Sequence, residues 1–131
     1  TLENLGVGCI AFSPLAQGLL TNKYLNGVPK NSRAAAGDSF VQTMLSDENI
    51  AHVRALNDIA QKRGQSLAQM AIAWILRDPR VTSALIGARN LQQLDDSLDA
   101  LKNQSFSTDE LKLIDQYARE GHIDLWRNLS E

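Results

Sequence analysis

A chain of 131 residues is long enough for one ordinary domain with its own hydrophobic core. Thirteen Lys and Arg against fifteen Asp and Glu give a formal charge of −2, with no basic block and 5% aromatic residues, which argues against nucleic acid as a partner. No apolar run approaches the ~18–20 residues that span a bilayer, and no basic-then-apolar secretory segment opens the chain, so a cytoplasmic protein without membrane association is expected.

Taken in chain order, Leu2-Glu3-Asn4-Leu5-Gly6 reads as a helix end closed by glycine. The chain starts at Thr1 with no initiator Met, and a piece of a longer polypeptide is expected. Residues 9–12 form a short apolar run that Ser13-Pro14 stops, because proline has no N–H for a ladder and restricts the residue before it. This is a buried strand running into a loop rich in exposed backbone amides, where Gly18 allows a turn or a close approach. The lone Cys9 has no disulfide partner, and its apolar strand predicts a buried, inert thiol. Residues 21–42 hold Gly27, Pro29, Asn31, Ser32, Gly37 and Asp38 and few apolar side chains, the composition of a long loop. Loops beyond ~12–15 residues are uncommon unless they are lids or binding loops, and Lys23, Lys30 and Arg33 make a cofactor lid the better reading.

A helix is predicted from about Ser46, with Ile50, Val53, Leu56 and Ile59 on one face and Gly64 as its stop. Ser66 and Gln69 have capping-box spacing and open a second helix that buries Leu67, Met70, Ala71, Trp74 and Ile75 and ends at Asp78-Pro79. Met70 and Trp74 are read as core. A strand over residues 82–86 leads through Gly87 into a helix over residues 91–102 with an inner stripe of Leu91, Leu94, Leu98 and Leu101. Asn90 is its N-cap, with Gln93 at the capping-box position. Ser107 and Glu110 repeat the box before Leu111, Ile114 and Tyr117, which line a final helix ending near Gly121. Two strands and four to five helices, in the order β–loop–α–α–β–α–α, predict a parallel α/β architecture with both βα loops on one sheet edge. Two parallel strands alone would leave both outer edges open.

The chemistry concentrates at those loops. A helix N-terminus offers unpaired N–H groups and partial positive charge, and Arg89 adds a planar fork suited to a phosphate monoester, which favours NADP over NAD. The same residues also read as a tight βα turn with a solvated arginine. Phe12 taken alone reads as core. His52 and His122 stand isolated, without ligand spacing, and no metal site is predicted. Asp95-Asp96 reads as a solvated face.

Phe12-Ser13-Pro14-Leu15-Ala16-Gln17-Gly18, Lys23-Tyr24, Ser32-Arg33 and Ile86-Gly87-Ala88-Arg89-Asn90-Leu91-Gln92-Gln93-Leu94, in this order, resemble the C-terminal third of an aldo-keto reductase. Within that family the resemblance runs to bacterial reductases of the glyceraldehyde 3-phosphate type and to β subunits of voltage-gated potassium channels. It implies that residues 1–131 are a partial domain, the C-terminal portion of a (β/α)8 TIM barrel, incomplete here, with the two strands as the seventh and eighth. It implies NADP(H) as cofactor, with Gly87, Arg89, Gln93 and Asp96 at the adenosine end and its 2′-phosphate. Ser97 stands where the family often has Asn. Ser13, Pro14, Leu15 and Gly18 would wrap the pyrophosphate, Lys23 and Arg33 would close over it, and Phe12 would face the nicotinamide. Asn22 departs from the Gly common before that lysine. Trp126 would cover the barrel mouth or simply pack.

By the same resemblance, the catalytic Tyr and its Lys, Asp and His partners come from earlier strands. No matching motif occurs in these 131 residues, Tyr24 and Tyr117 lack that context, and no catalytic residue is assigned. The expected function is NADP-dependent reduction of small aldehydes or ketones, with a homo-oligomer allowed. The alternatives are a redox-sensing regulatory subunit or an inactive truncated product.

Overall fold

The computed structural model describes residues 1–32, 34–37, 39–119 and 121, and of residues 39–41 the backbone alone. Strand β1 (Cys9–Ala11) and strand β2 (Val81–Ala84) pair in parallel, with Cys9 opposite Val81, Ile10 opposite Ser83 and Ala11 opposite Ala84. The register slips between Cys9 and Ile10, where the Cys9 N–H donates to Oγ1 of Thr82 at 3.1 Å instead of to a carbonyl. A Cβ on Gly8 would lie 2.7 Å from that oxygen, so only glycine permits this approach. Beyond the strands, the Leu85 N–H reaches the Ala11 carbonyl at 2.9 Å and extends the ladder toward the loops.

The crossover that a parallel pair requires is helical. It contains α1 (Ser39–Met44), α2 (Asp47–Lys62) and α3 (Leu67–Leu76), and after β2 come α4 (Leu91–Leu98) and α5 (Thr108–Tyr117). Each long helix starts on a side-chain cap, and those at Ser66, Asn90 and Ser107 are the expected ones. Ser46 accepts from the Asn49 N–H, and the Ser66–Gln69 and Ser107–Glu110 boxes both close reciprocally. The core lies between α2, α3 and α5, where Val53, Leu56, Ile59, Leu67, Met70 and Ile114 pack with Leu19 and Met44. Burying each such side chain contributes about 1.5–3 kcal/mol against exposure. Trp74 sits at the margin of this core, half-buried, with the Arg77 guanidinium 3.7 Å above its ring.

Arg63 joins the end of α2 to the start of α5. Its guanidinium meets Glu110 Oε1 at 2.7 Å, donates to the Ser105 carbonyl at 2.9 Å, and lies 3.7 Å over the Phe106 ring. The Ser107 N–H, and after it Arg63, hold the Glu110 carboxyl below the usual carboxylate range.

Several expectations are corrected here. β1 is not buried: Ile10 and Phe12 are each 67% exposed, and Cys9 is half-buried. The register puts Ile10 and Ser83 on one sheet face, with Phe12 and Leu85 two residues further along it, and no described element covers that face. The leucine stripe of residues 91–102 is likewise open, with Leu91 at 78% and Leu101 at 54% exposure. The helix itself is shorter than expected, passing at Asp99–Lys102 into a 3-10 turn whose Ala100 is buried. The loop of residues 21–42 contains a 3-10 turn at Asn22–Tyr24 and runs into α1. The opening helix end is a single 3-10 turn, Glu3–Leu5, closed as expected by a left-handed Gly6. His52 is half-buried beside Tyr117, with ring centroids 6.1 Å apart. His122 and Trp126 lie outside the described residues. Among the described residues no cluster of metal-ligating side chains occurs, and no helix is long and apolar enough to cross a membrane.

Candidate ligand site at the strand ends

After β1 the backbone enters an unusual loop. Ser13, Ala16 and Gln17 all take left-handed conformations, with φ of 53°, 46° and 58°, and Gly18 follows at 96°. For non-glycine residues such geometry costs on the order of 1 kcal/mol each, and clustered strain of this kind marks ligand-holding loops. The expected row of free amides is not there. The N–H groups of Ala16, Gly18, Leu19 and Leu20 bond within the loop to the carbonyls of Ser13, Leu15, Ala16 and Leu15, because tight overlapping turns use their own donors. Pro14 is buried beneath them, and Leu15 is half-buried.

Thr21, which sequence reasoning passed over, ties this loop to the next. Its hydroxyl donates to the Gly18 carbonyl at 2.7 Å and its oxygen accepts the Lys23 N–H at 3.1 Å. Lys23 is thereby held beside Gly18, its Cδ 4.0 Å from where a Cβ on that glycine would stand. The Arg54 side chain, also missed, grips the Leu25 carbonyl through Nε and Nη2 at 3.1 and 2.8 Å and fastens the turn to α2. The Arg54 contact has no short-range spacing signal, its partner lying 29 residues away, whereas Thr21 is a local cap whose bonds span two and three residues.

The second junction is built on the N-terminus of α4. Asn90 caps it as expected, accepting the Gln93 N–H at 2.9 Å. The return bond differs from the predicted box: the Gln93 Oε1 accepts from the Arg89 N–H at 2.9 Å, one residue before the cap. The first amides of a helix have no intrahelical acceptor, so those of Leu91 and Gln92 remain for something outside. Arg89 is exposed, and its guanidinium has no partner among the described residues. Gly87 has an ordinary φ and nothing within 4 Å of where a Cβ would stand. Asp96 is not merely solvated: its Oδ1 accepts from Nε2 of Gln69 at 2.8 Å. The Ser97 hydroxyl turns back to the Gln93 carbonyl at 2.8 Å.

Parallel pairing brings both junctions out at the same end of the strands. Ser13, Pro14, Leu15, Gly18 and Lys23 form one group and Gly87, Arg89, Gln93 and Asp96 the other, with the exposed Phe12 ring at the end of β1. Arg33 lies outside the described residues. A hollow of about 730 Å³ lies at the opposite end of β2, lined by Glu3, Arg77, Asp78, Arg80, Phe106 and Leu111. Its arginines are already engaged. Arg80 donates to both oxygens of Asp78 and holds that carboxyl well below the usual range, while Arg77 is stacked on Trp74. Arg89, at the other end, has a guanidinium that nothing among the described residues engages.

The sequence profile of the Aldo/keto reductase family matches residues 1–119. The chain is 52% identical over 135 aligned positions to the L-glyceraldehyde 3-phosphate reductase of Escherichia coli O157:H7 and 53% identical to that of strain K12. Each alignment covers 100% of this chain and 39% of the relative. It is 39% identical over 99 positions to a probable voltage-gated potassium channel subunit beta of Oryza sativa subsp. japonica, covering 73% of this chain and 30% of the relative. The chain thus spans about two fifths of the length of the reductases it matches.

Proposed function

Because this chain belongs to the aldo/keto reductase family, we propose that it is the cofactor-binding C-terminal part of a cytoplasmic, NADP-dependent oxidoreductase that reduces small aldehydes or ketones. In this reading residues 1–131 are part of one domain, and β1 and β2 are the last two strands of a (β/α)8 barrel. The open face carrying Ile10, Phe12 and Leu85 is then barrel interior, closed by strands outside this sequence. The names of the bacterial relatives support an aldehyde bearing a phosphate as the substrate.

The residues present fit the cofactor. Arg89 reaches the 2′-phosphate with a guanidinium that no described residue engages, and the N–H groups of Leu91 and Gln92 add the partial charge of a helix N-terminus. Gly87 leaves open the space a side chain would fill, so the backbone can approach the ligand closely. Gln93 and Asp96 serve the adenosine, while Ser13, Pro14, Leu15 and Gly18 wrap the pyrophosphate. Lys23 and Arg33 supply positive charge from the lid. Phe12, exposed and apolar, packs against the nicotinamide and fixes which face it presents. When bound, the cofactor supplies the hydride that reduces the carbonyl; the proton comes from a group outside these residues.

The observation that carries this reading is Arg89, without a partner among the described residues, at the N-terminus of α4 on the sheet edge that also holds the strained loop of residues 13–18. Arg89→Ala in the full-length protein is expected to weaken NADPH binding about 10- to 100-fold, the loss of a charge-assisted pair, while leaving NADH nearly unchanged. Equal loss for both cofactors would remove the 2′-phosphate assignment. The similarity to a channel β subunit supports a second reading, a regulatory subunit whose bound cofactor reports redox state. Tight NADPH binding with negligible aldehyde turnover would favour it.

A further inference from the structure

The two closed capping boxes of this fold use different residues at the third helical position, Gln69 in α3 and Glu110 in α5. A capping box accepts either type, because both offer an oxygen to the N-cap N–H. The choice is therefore made by what else each side chain meets. Glu110 meets the Arg63 guanidinium, and Gln69 meets the Asp96 carboxylate.

The geometry on Gln69 couples its two bonds. Oε1 accepts the Ser66 N–H at 2.9 Å and Nε2 donates to Asp96 Oδ1 at 2.8 Å. An amide is planar, so fixing its oxygen on the cap aims its NH2 at α4. This is the one side-chain hydrogen bond between α3 and α4 among the described residues. It engages one oxygen of an otherwise exposed carboxylate and leaves the other to accept from a ligand.

We propose that Gln69 is a positioning residue for the second junction: it presets the Asp96 carboxylate for a donor group of a bound nucleotide, such as the exocyclic amine of adenosine. This rests on the reading of Asp96 as part of the NADP(H) site. A carboxylate already oriented loses less freedom on binding than one that must be ordered by the ligand.

Gln69→Glu is the discriminating variant, since it keeps an acceptor for the Ser66 N–H but replaces the donor with a second carboxylate facing Asp96. NADPH titrations of the full-length protein would compare wild type, Gln69→Glu, Asp96→Ala and the double variant, with melting temperatures as the check on folding. Gln69→Glu is expected to melt near wild type and to bind NADPH about three- to tenfold more weakly. In the Asp96→Ala background it should cost nothing further, which a merely structural role would not produce. The proposal is overturned if Gln69→Glu binds like wild type while Asp96→Ala is weakened, or if its loss is the same in both backgrounds. It is also overturned if Asp96→Ala binds normally. Arg89→Ala distinguishes all of these from failure of the cofactor reading: a selective NADPH loss there leaves that reading standing.

Discussion

At the scale of single residues, Gly87 separates a need of the fold from a need of a ligand. The fold favours glycine where φ is left-handed, as at Gly6 and Gly18, or where a neighbour crowds the Cβ position, as Thr82 does at Gly8. Gly87 meets neither condition in the described structure. Gly87→Ala is therefore expected to leave the melting temperature unchanged or slightly raised, since alanine restricts the unfolded chain. NADPH affinity should fall roughly tenfold, because the methyl group occupies space the cofactor backbone needs. Calorimetric titration beside thermal melting checks both; a lower melting temperature with unchanged affinity would make Gly87 a packing residue. Arg89, Asn90 and Gln93 were legible in the sequence as cap and fork. That Gln93 would return its bond to Arg89 and not to Asn90 was not, because spacing fixes which side chains are in reach and not which of two adjacent N–H groups is taken.

At the scale of elements, helix starts were the most readable feature, because a cap is a local contract among four residues. Ser46, Ser66, Asn90 and Ser107 all open helices where expected. The loop after β1 was less readable: Ser13, Ala16 and Gln17 carry no signature of left-handed backbone, and their strain is set by the whole turn. The α2–α5 junction gives a test in pH. Folding lowers the pKa of Glu110, so its stabilisation is complete above the unfolded value of ~4.3 and is lost as pH falls through the lower folded value. Glu110→Gln keeps an acceptor for the Ser107 N–H but removes the charge facing the nearly buried Arg63. It is expected to be less stable at pH 7, by about 1 kcal/mol, with the gap from wild type shrinking below about pH 4. A gap independent of pH would mean the charge contributes nothing.

At the scale of the whole molecule, the hydrophobic pattern is amphipathic as expected, but the apolar faces of the strand pair and of α4 are open. The same rule that buried Val53, Leu56 and Ile59 predicted burial for Ile10, Phe12, Leu94 and Leu98; periodicity says which residues share a face and not whether an element covers it. Exposed apolar surface of that extent is unusual for a folded monomer and is accounted for by the proposed barrel, since this chain spans about two fifths of the length of the reductases it matches. The two junctions are proposed to hold one dinucleotide at a shared sheet edge. Amide hydrogen exchange of the full-length protein with and without NADPH tests this most directly. Slowed exchange over both residues 13–20 and residues 87–93 is the expected result. Protection confined to the opposite end, around residues 77–80 and 104–106, or protection at neither junction, would contradict it.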